Sequence, residues 1–342
     1  MAVGPGFCPT STELAKLGVR RPPIGATVSG LSSAKAKVEG GELLELPGIA
    51  AQSKSAPTLY HFPISLGSQQ VRLVLAEKQV AWDGQIVNTG PALENLEPWY
   101  AKLNPQLVVP TLVVGTTIVT GAVQIVGFVN EHFPGPELLP SEPEQRDEVL
   151  RWIEIQDQFP LRELGYARTK GMVRWFQRWS LRQQRSRLRR LIRKNPELRD
   201  IYEAKRAELD GLERGIHHRI GMSELVDEVE VLLDEIEVTL EQREWLAGPN
   251  YTLADAMWTA VLSKLEQIGF ARSLRSHRRP EVARWYAQLR ERPSWDSMIR
   301  RLSAWQVLRF YGPSVAKTFL LFWVLKWMIV IGLGWLVAHL RG

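Results

Sequence analysis

The sequence predicts an α+β chain: a small mixed sheet with its helices, an all-helical unit after it, and an apolar segment near the C-terminus. Three observations carry that expectation. Extended and helical runs alternate between residues 58 and 133, strand pattern disappears after Pro140, and charge nearly vanishes from Phe319 to Leu340. Of 342 residues, 45% are hydrophobic and 23% charged, which excludes a wholly disordered chain, and the length suits two domains with appendages. Lys and Arg number 43 against 37 Asp and Glu, a formal charge of +6. The single cysteine, Cys8, excludes an intrachain disulfide and a thiolate zinc site, and no metal is expected.

Residues 1–57 read as a disordered leader, rich in Ala, Gly, Ser and Pro and without an apolar period. Between Thr10 and Glu39 the bases Lys16, Arg20, Arg21, Lys35 and Lys37 outnumber Glu13 and Glu39. That composition fits an organelle transit peptide and equally a plain tail, and it lacks the apolar run of a secretory signal.

A first domain is assigned to residues 58–137. Leu59 to Phe62 is a predicted strand, and Ser65 to Lys78 a helix with Val71, Val74 and Leu75 on one face. Val80 to Val87 is extended, Pro98 to Leu103 a turn or short helix, and Pro110 to Val114 a third strand. Gly115-Thr116 turns the chain into Thr117 to Thr120, and Ala122 to Phe133 is helical, with Val123, Val126 and Val129 recurring on one side. In the order β-α-β-α-β-β-α, the first unit requires a right-handed parallel crossover and the hairpin adds an antiparallel pair. A small sheet of this order is thioredoxin-like.

Residues 138–312 show helices alone. Glu142 to Phe159 is one, and Met222 to Arg243 is a strongly periodic one through Leu225, Val229, Leu232, Leu233, Ile236 and Leu240. Between them an insertion over about residues 165–220 contains a basic block, Arg174 to Arg193, with no acidic residue. Trp175 and Trp179 accompany it, but no base-reading motif does, so no nucleic-acid partner is expected. Anionic lipid and plain solvent are the two environments it could face. Residues 315–340 are the predicted membrane anchor, a C-terminal transmembrane helix. Phe319 to Leu340 has Lys326 as its only full charge, reaches about 30 Å as a helix, and carries Trp323, Trp327 and Trp335 for the interfaces. The competing expectation is a helix packed on the globular part, which Lys326 favours unless its stem snorkels outward.

The segments LYHFPISLGSQQVRLVLAEK, VVPTL and WLAGPNYTLADAMWTAVLSKLE resemble the glutathione S-transferase superfamily over about Leu59 to Leu302, in the expected order. RRPEVARWYAQLRERPSW and the enlarged basic block are similar to its plant tetrachlorohydroquinone-dehalogenase-like class. The ganglioside-induced differentiation-associated proteins, with a comparable insertion and a membrane tail, are a second likeness. The resemblance implies a thioredoxin-like glutathione-binding domain, an all-α transferase domain, glutathione as co-substrate, a small hydrophobic electrophile and a homodimer.

Ser65 stands at the strand-to-helix turn, seven positions before Arg72, where the resemblance implies the hydroxyl of serine-type transferases. A hydroxyl donating to a thiolate and a helix N-terminus beside it both lower a thiol pKa from about 8.5. Ser68 is the reserve candidate, and for either serine a plain helix cap is the competing role. Tyr60, a strand residue, alternates away. At Val109-Pro110 the family's cis-proline is implied, leaving the Val109 backbone to pair with an extended ligand. Gly121-Ala122 stands where relatives carry the acidic and hydroxyl residues that hold the γ-glutamyl end of glutathione, and Val108 where Lys or Gln is frequent. A lost charge-assisted contact of this kind costs about 1.5–3 kcal/mol. Thr252 and Asp255 read as a capping box with no chemical role.

The expected function is therefore conjugation of glutathione to a hydrophobic electrophile at a membrane surface, by a serine-type transferase that is tail-anchored with its head facing the cytosol. The alternative, favoured by Gly121-Ala122 and Val108, is a catalytically degenerate transferase fold that serves as a membrane-associated interaction or shaping module.

Overall fold

A computed structural model describes residues 56–168, 171–217 and 221–298, with short pieces between 305 and 313. The leader up to residue 55 and the anchor segment lie outside the described residues. Among the described residues no helix is long and apolar enough to cross a membrane.

The first domain contains β1 (Thr58–His61), α1 (Leu66–Glu77), β2 (Asp83–Ile86), α2 (Pro98–Leu103), β3 (Thr111–Val114), β4 (Thr117–Thr120) and α3 (Ala122–His132). The sheet runs β2-β1-β3-β4, with β1 parallel to β2 and the other neighbours antiparallel, so the expected crossover and hairpin are both present. Strand alternation divides the two faces. Leu59 and Leu112 join Val71, Val74 and Leu75 of α1 and Ile125, Val126 and Val129 of α3, whereas Tyr60 and Val113 meet Tyr100 and Leu103 of α2. The second strand is shorter than its apolar run. Gln79 adopts a left-handed conformation at φ 56°, and the Val80 N–H returns to the Leu75 carbonyl at 2.8 Å, so residues 79–80 close α1 instead of opening β2.

The second domain is helical: α4 (Pro143–Gln158), α5 (Leu161–Arg168), α6 (Gly171–Lys194), α7 (Arg199–His217), α8 (Gly221–Leu240), α9 (Leu253–Leu265), α10 (Ala271–Leu274), α11 (Pro280–Glu291) and α12 (Pro293–Met298). Its centre is α9, which is buried almost all round and packs on α1. Leu73 touches Ala260, and the buried Gln70 amide donates to Gln156 Oε1 at 2.6 Å and to the Met257 carbonyl at 3.3 Å. At the far end of α1, Glu77 receives Arg292 at 2.9 and 2.6 Å and the Ser294 hydroxyl at 2.6 Å.

The basic insertion has an inside as well as a solvated face. Helices α6 and α7 pair, and Leu181, Leu188, Leu191 and Ile192 join Leu198, Tyr202, Leu209 and Leu212 in closing over Leu93, Leu96, Ala101 and Leu107 of the first domain. Arg185 pairs with Asp210 and Glu213 of α7, and Arg187 with Glu97. The arginines dominate the sequence; the leucines decide the packing.

Candidate active site

Three elements converge at one corner of the sheet. The first is the turn into α1. Ser65 is its N-cap, extended at φ −69° and ψ 129°, half-buried, and its hydroxyl accepts the Ser68 N–H at a long 3.4 Å. Ser68 has a different environment: it is fully buried, and its hydroxyl accepts the Phe62 N–H at 3.3 Å. Beneath the turn, the buried Arg72 donates to the Pro63 carbonyl at 2.9 Å and to His61 Nδ1 at 3.1 Å. Burial, and then the Arg72 charge, hold the His61 pKa down at about 4, so the ring is neutral at physiological pH. With Nδ1 accepting from Arg72, its proton resides on Nε2. Arg72 thus fixes the carbonyl two residues before Ser65. Ile64, 39% exposed, gives the turn an apolar rim.

The second element is the Val109-Pro110 bond, which is cis as expected. Val109 lies just outside the pairing of β3. The carbonyl before it, on Val108, accepts the Tyr100 hydroxyl at 2.6 Å and the Asn104 amide at 2.7 Å, and both side chains also engage Thr111 Oγ1, at 3.0 and 2.9 Å. Burial pushes the Tyr100 pKa up to about 12, which keeps the phenol a donor. Val108 therefore contributes its carbonyl to the frame of the turn, while its side chain offers no charge.

The third element is the start of α3, with Gly121 at φ 86° as its N-cap. Gly67 shows how tightly the three meet. A Cβ added there would lie 3.1 Å from both the Ala122 Cβ and the Pro110 Cδ, so only glycine lets the first turn of α1 approach them this closely. At Gly121 the positive φ disfavours an L side chain, and a Cβ would overlap the Gln124 carboxamide oxygen. The exposed Gln124 side chain therefore folds back over the N-terminus of α3, where Gly121-Ala122 supply no polar side chain.

Tyr60 is turned to the other sheet face, its ring 6.2 Å from that of Trp99. Thr252 and Asp255 form their capping box inside the helical core. Tyr100, Asn104 and Gln124 were not marked by sequence reasoning; the only available signal was a Tyr and an Asn four apart just before the VVPT turn.

A thioredoxin-like sheet joined to a helical domain, with a capped serine turn, a cis-proline and a helix start packed around one glycine, defines the glutathione transferase class. The chain belongs to the glutathione S-transferase family, whose co-substrate is glutathione. Residues 64–132 match the model for the N-terminal domain of that family, and residues 221–293 the model for its C-terminal domain. The tetrachloro-p-hydroquinone reductive dehalogenase of Sphingobium chlorophenolicum is 31% identical over 249 residues, covering 70% of this chain and 94% of that protein. The Arabidopsis thaliana glutathione S-transferase TCHQD is 26% identical, over 71% and 89%. The human ganglioside-induced differentiation-associated protein 1-like 1 is also 26% identical, over 78% and 80%. In fold, the glutathione-bound theta-class transferase of Xanthomonas axonopodis pv. citri superposes with a TM-score of 0.53 at 20% identity, covering 72% of this chain and 98% of that one.

Proposed function

We propose that the chain is a serine-type glutathione transferase. In this reading Ser65 donates its hydroxyl hydrogen to the glutathione sulfur, and a small hydrophobic electrophile is the second substrate. The observation that carries it is the convergence at Gly67 of the Ser65 turn, Pro110 and Ala122. Glutathione fits this corner: an extended peptide backbone can pair with Val109, and free amides face it at the first turns of α1 and α3. Glutathione supplies the nucleophilic sulfur; the protein's part is to bind the peptide, hold the Ser65 hydroxyl and exclude competing orientations. The long bond between Ser65 and the Ser68 N–H leaves the hydroxyl hydrogen free to donate outward, whereas the buried Ser68 hydroxyl has no such access. The apolar rim at Ile64 suits a hydrophobic second substrate.

The reading extends to a homodimeric head, as is typical of the family, facing the cytosol and held to a membrane by Phe319 to Leu340. Calorimetry with glutathione and conjugation of a generic aryl halide test the chemistry. Binding with turnover supports it, and turnover should fall in Ser65→Ala far more than affinity does. Binding without turnover, or no binding, moves the assignment to the degenerate interaction module, the second reading that the apolar Gly121-Ala122 pair favours. Retention of the full chain on membranes through a carbonate wash, lost when residues after Gly312 are removed, tests the anchor.

A further inference from the structure

We propose that the outer face of α6 is a docking surface for an anionic lipid bilayer. At about 100° per residue, Arg178, Arg182, Arg189 and Arg193 fall within about 60° of one another around the helix. All four are exposed, and no carboxylate among the described residues pairs with them. Trp175, 58% exposed, is on the same stripe. A neighbouring side of the helix is spent on packing: Leu181, Leu188, Leu191 and Ile192 are buried in the cluster shared with α7 and the first domain. Arg185 and Arg187, which look equivalent in sequence, are neutralised by Asp210, Glu213 and Glu97. The block thus separates into two arginines with carboxylate partners, Arg185 at the edge of the stripe and Arg187 on the far side of the helix, and a row about 27 Å long from Trp175 to Arg193 that has none among the described residues.

A straight row of unpaired guanidiniums ending in an exposed indole matches a flat anionic surface. Guanidiniums bind lipid phosphates, and tryptophan seats itself at the headgroup level. A duplex nucleic acid fits less well, because no base-reading motif accompanies the stripe and the exposed indole at its end suits a headgroup layer. The inference is independent of the transferase chemistry and of the anchor.

The test uses the full chain with Cys8→Ser and a dye on Ser186→Cys, which adjoins the stripe, reconstituted in phosphatidylcholine vesicles with or without phosphatidylserine. The dye should shift to the blue and be quenched by spin-labelled lipid only when phosphatidylserine is present. The effect should vanish in high salt, and in a variant carrying Arg178→Gln, Arg182→Gln, Arg189→Gln and Arg193→Gln with unchanged helix content. Each arginine strengthens attachment by about fivefold at low salt, so four removals bring the signal to the neutral-vesicle level. Equal signals on neutral and anionic vesicles, or an undiminished signal in the variant, would overturn the proposal. So would a duplex oligonucleotide that shifts the dye without vesicles. Retention on neutral vesicles reads only the apolar segment, so failure of the anchor remains distinguishable.

Discussion

Asp255 and Ser65 are both polar side chains at the start of a helix, and the fold treats them in opposite ways. Asp255 is fully buried and accepts four donors: the Thr252 N–H at 2.9 Å, the Thr252 hydroxyl at 3.0 Å, and the Leu246 N–H and Trp285 Nε1 at 3.1 Å each. Ser65 is half-buried and accepts one long bond. Saturation marks a structural group; spare capacity at a surface marks one available for chemistry. The two sites therefore should fail differently when truncated.

The largest effect is expected at Asp255. Asp255→Ala strands the Trp285 indole, the Thr252 hydroxyl and two backbone amides in a dry core, and denaturant unfolding should show a loss of about 3–5 kcal/mol. Turnover per folded molecule should barely change. Ser65→Ala should do the reverse, lowering kcat about a hundredfold or more while costing no more than about 1 kcal/mol of stability. Ser68→Ala, which abandons the buried Phe62 amide, should resemble a mild Asp255 change: about 1–2 kcal/mol of stability and little turnover.

Acid sharpens the same contrast. Burial raises the Asp255 pKa to about 6, with its four donors working against the rise, so the folded protein takes up a proton before the unfolded chain does. Its contribution to stability accordingly falls as pH rises from about 4 to 6. His61 acts with the opposite sign: its pKa of about 4 lies below the unfolded value of 6.5, so its contribution is present above pH 6.5 and lost as pH falls to 4. His61→Gln should flatten the acid-side loss of stability by about 3 kcal/mol, read as unfolding free energy against pH.

The smallest effect is expected at the packing point of the site. Gly67→Ala places a methyl at 3.1 Å from Ala122 and Pro110, so the three elements must part by a few tenths of an ångström. Glutathione affinity should weaken several-fold, with about 1 kcal/mol lost in stability. Ala122→Ser leaves the Gly121 backbone alone and supplies a hydroxyl at the start of α3, and calorimetry should show modestly tighter glutathione. Gly121→Glu is a poorer restoration, because positive φ and the Gln124 amide both oppose it.

Local pattern made the element order and the capping box legible in the sequence, because a period and a three-residue spacing are short-range signals, whereas the cis form of Val109-Pro110 followed from the family resemblance alone. The ends of β2 were not legible, since the left-handed Gln79 that closes α1 has no compositional mark. Nor was the use of the arginines. Arg185 and Arg189 stand four apart on one side of the helix, and only the position of Asp210 and Glu213 on α7 gives the first of them partners. Tyr100 and Asn104 meet Val108 only after α2 has folded onto the sheet. Gln124 stands in for nothing visible until the positive φ of Gly121 clears its place.

The direct test of the central claim is the ionisation of glutathione on the protein. Thiolate ultraviolet absorbance of the bound peptide, followed against pH, should titrate at least about one unit below the free thiol value near 8.5. The same titration in Ser65→Ala, with glutathione still saturating, should move back toward the free value, because the hydroxyl that stabilised the anion is gone. Identical titration of the two proteins with glutathione bound would contradict the assignment of Ser65 and leave the thiolate to the helix N-terminus alone.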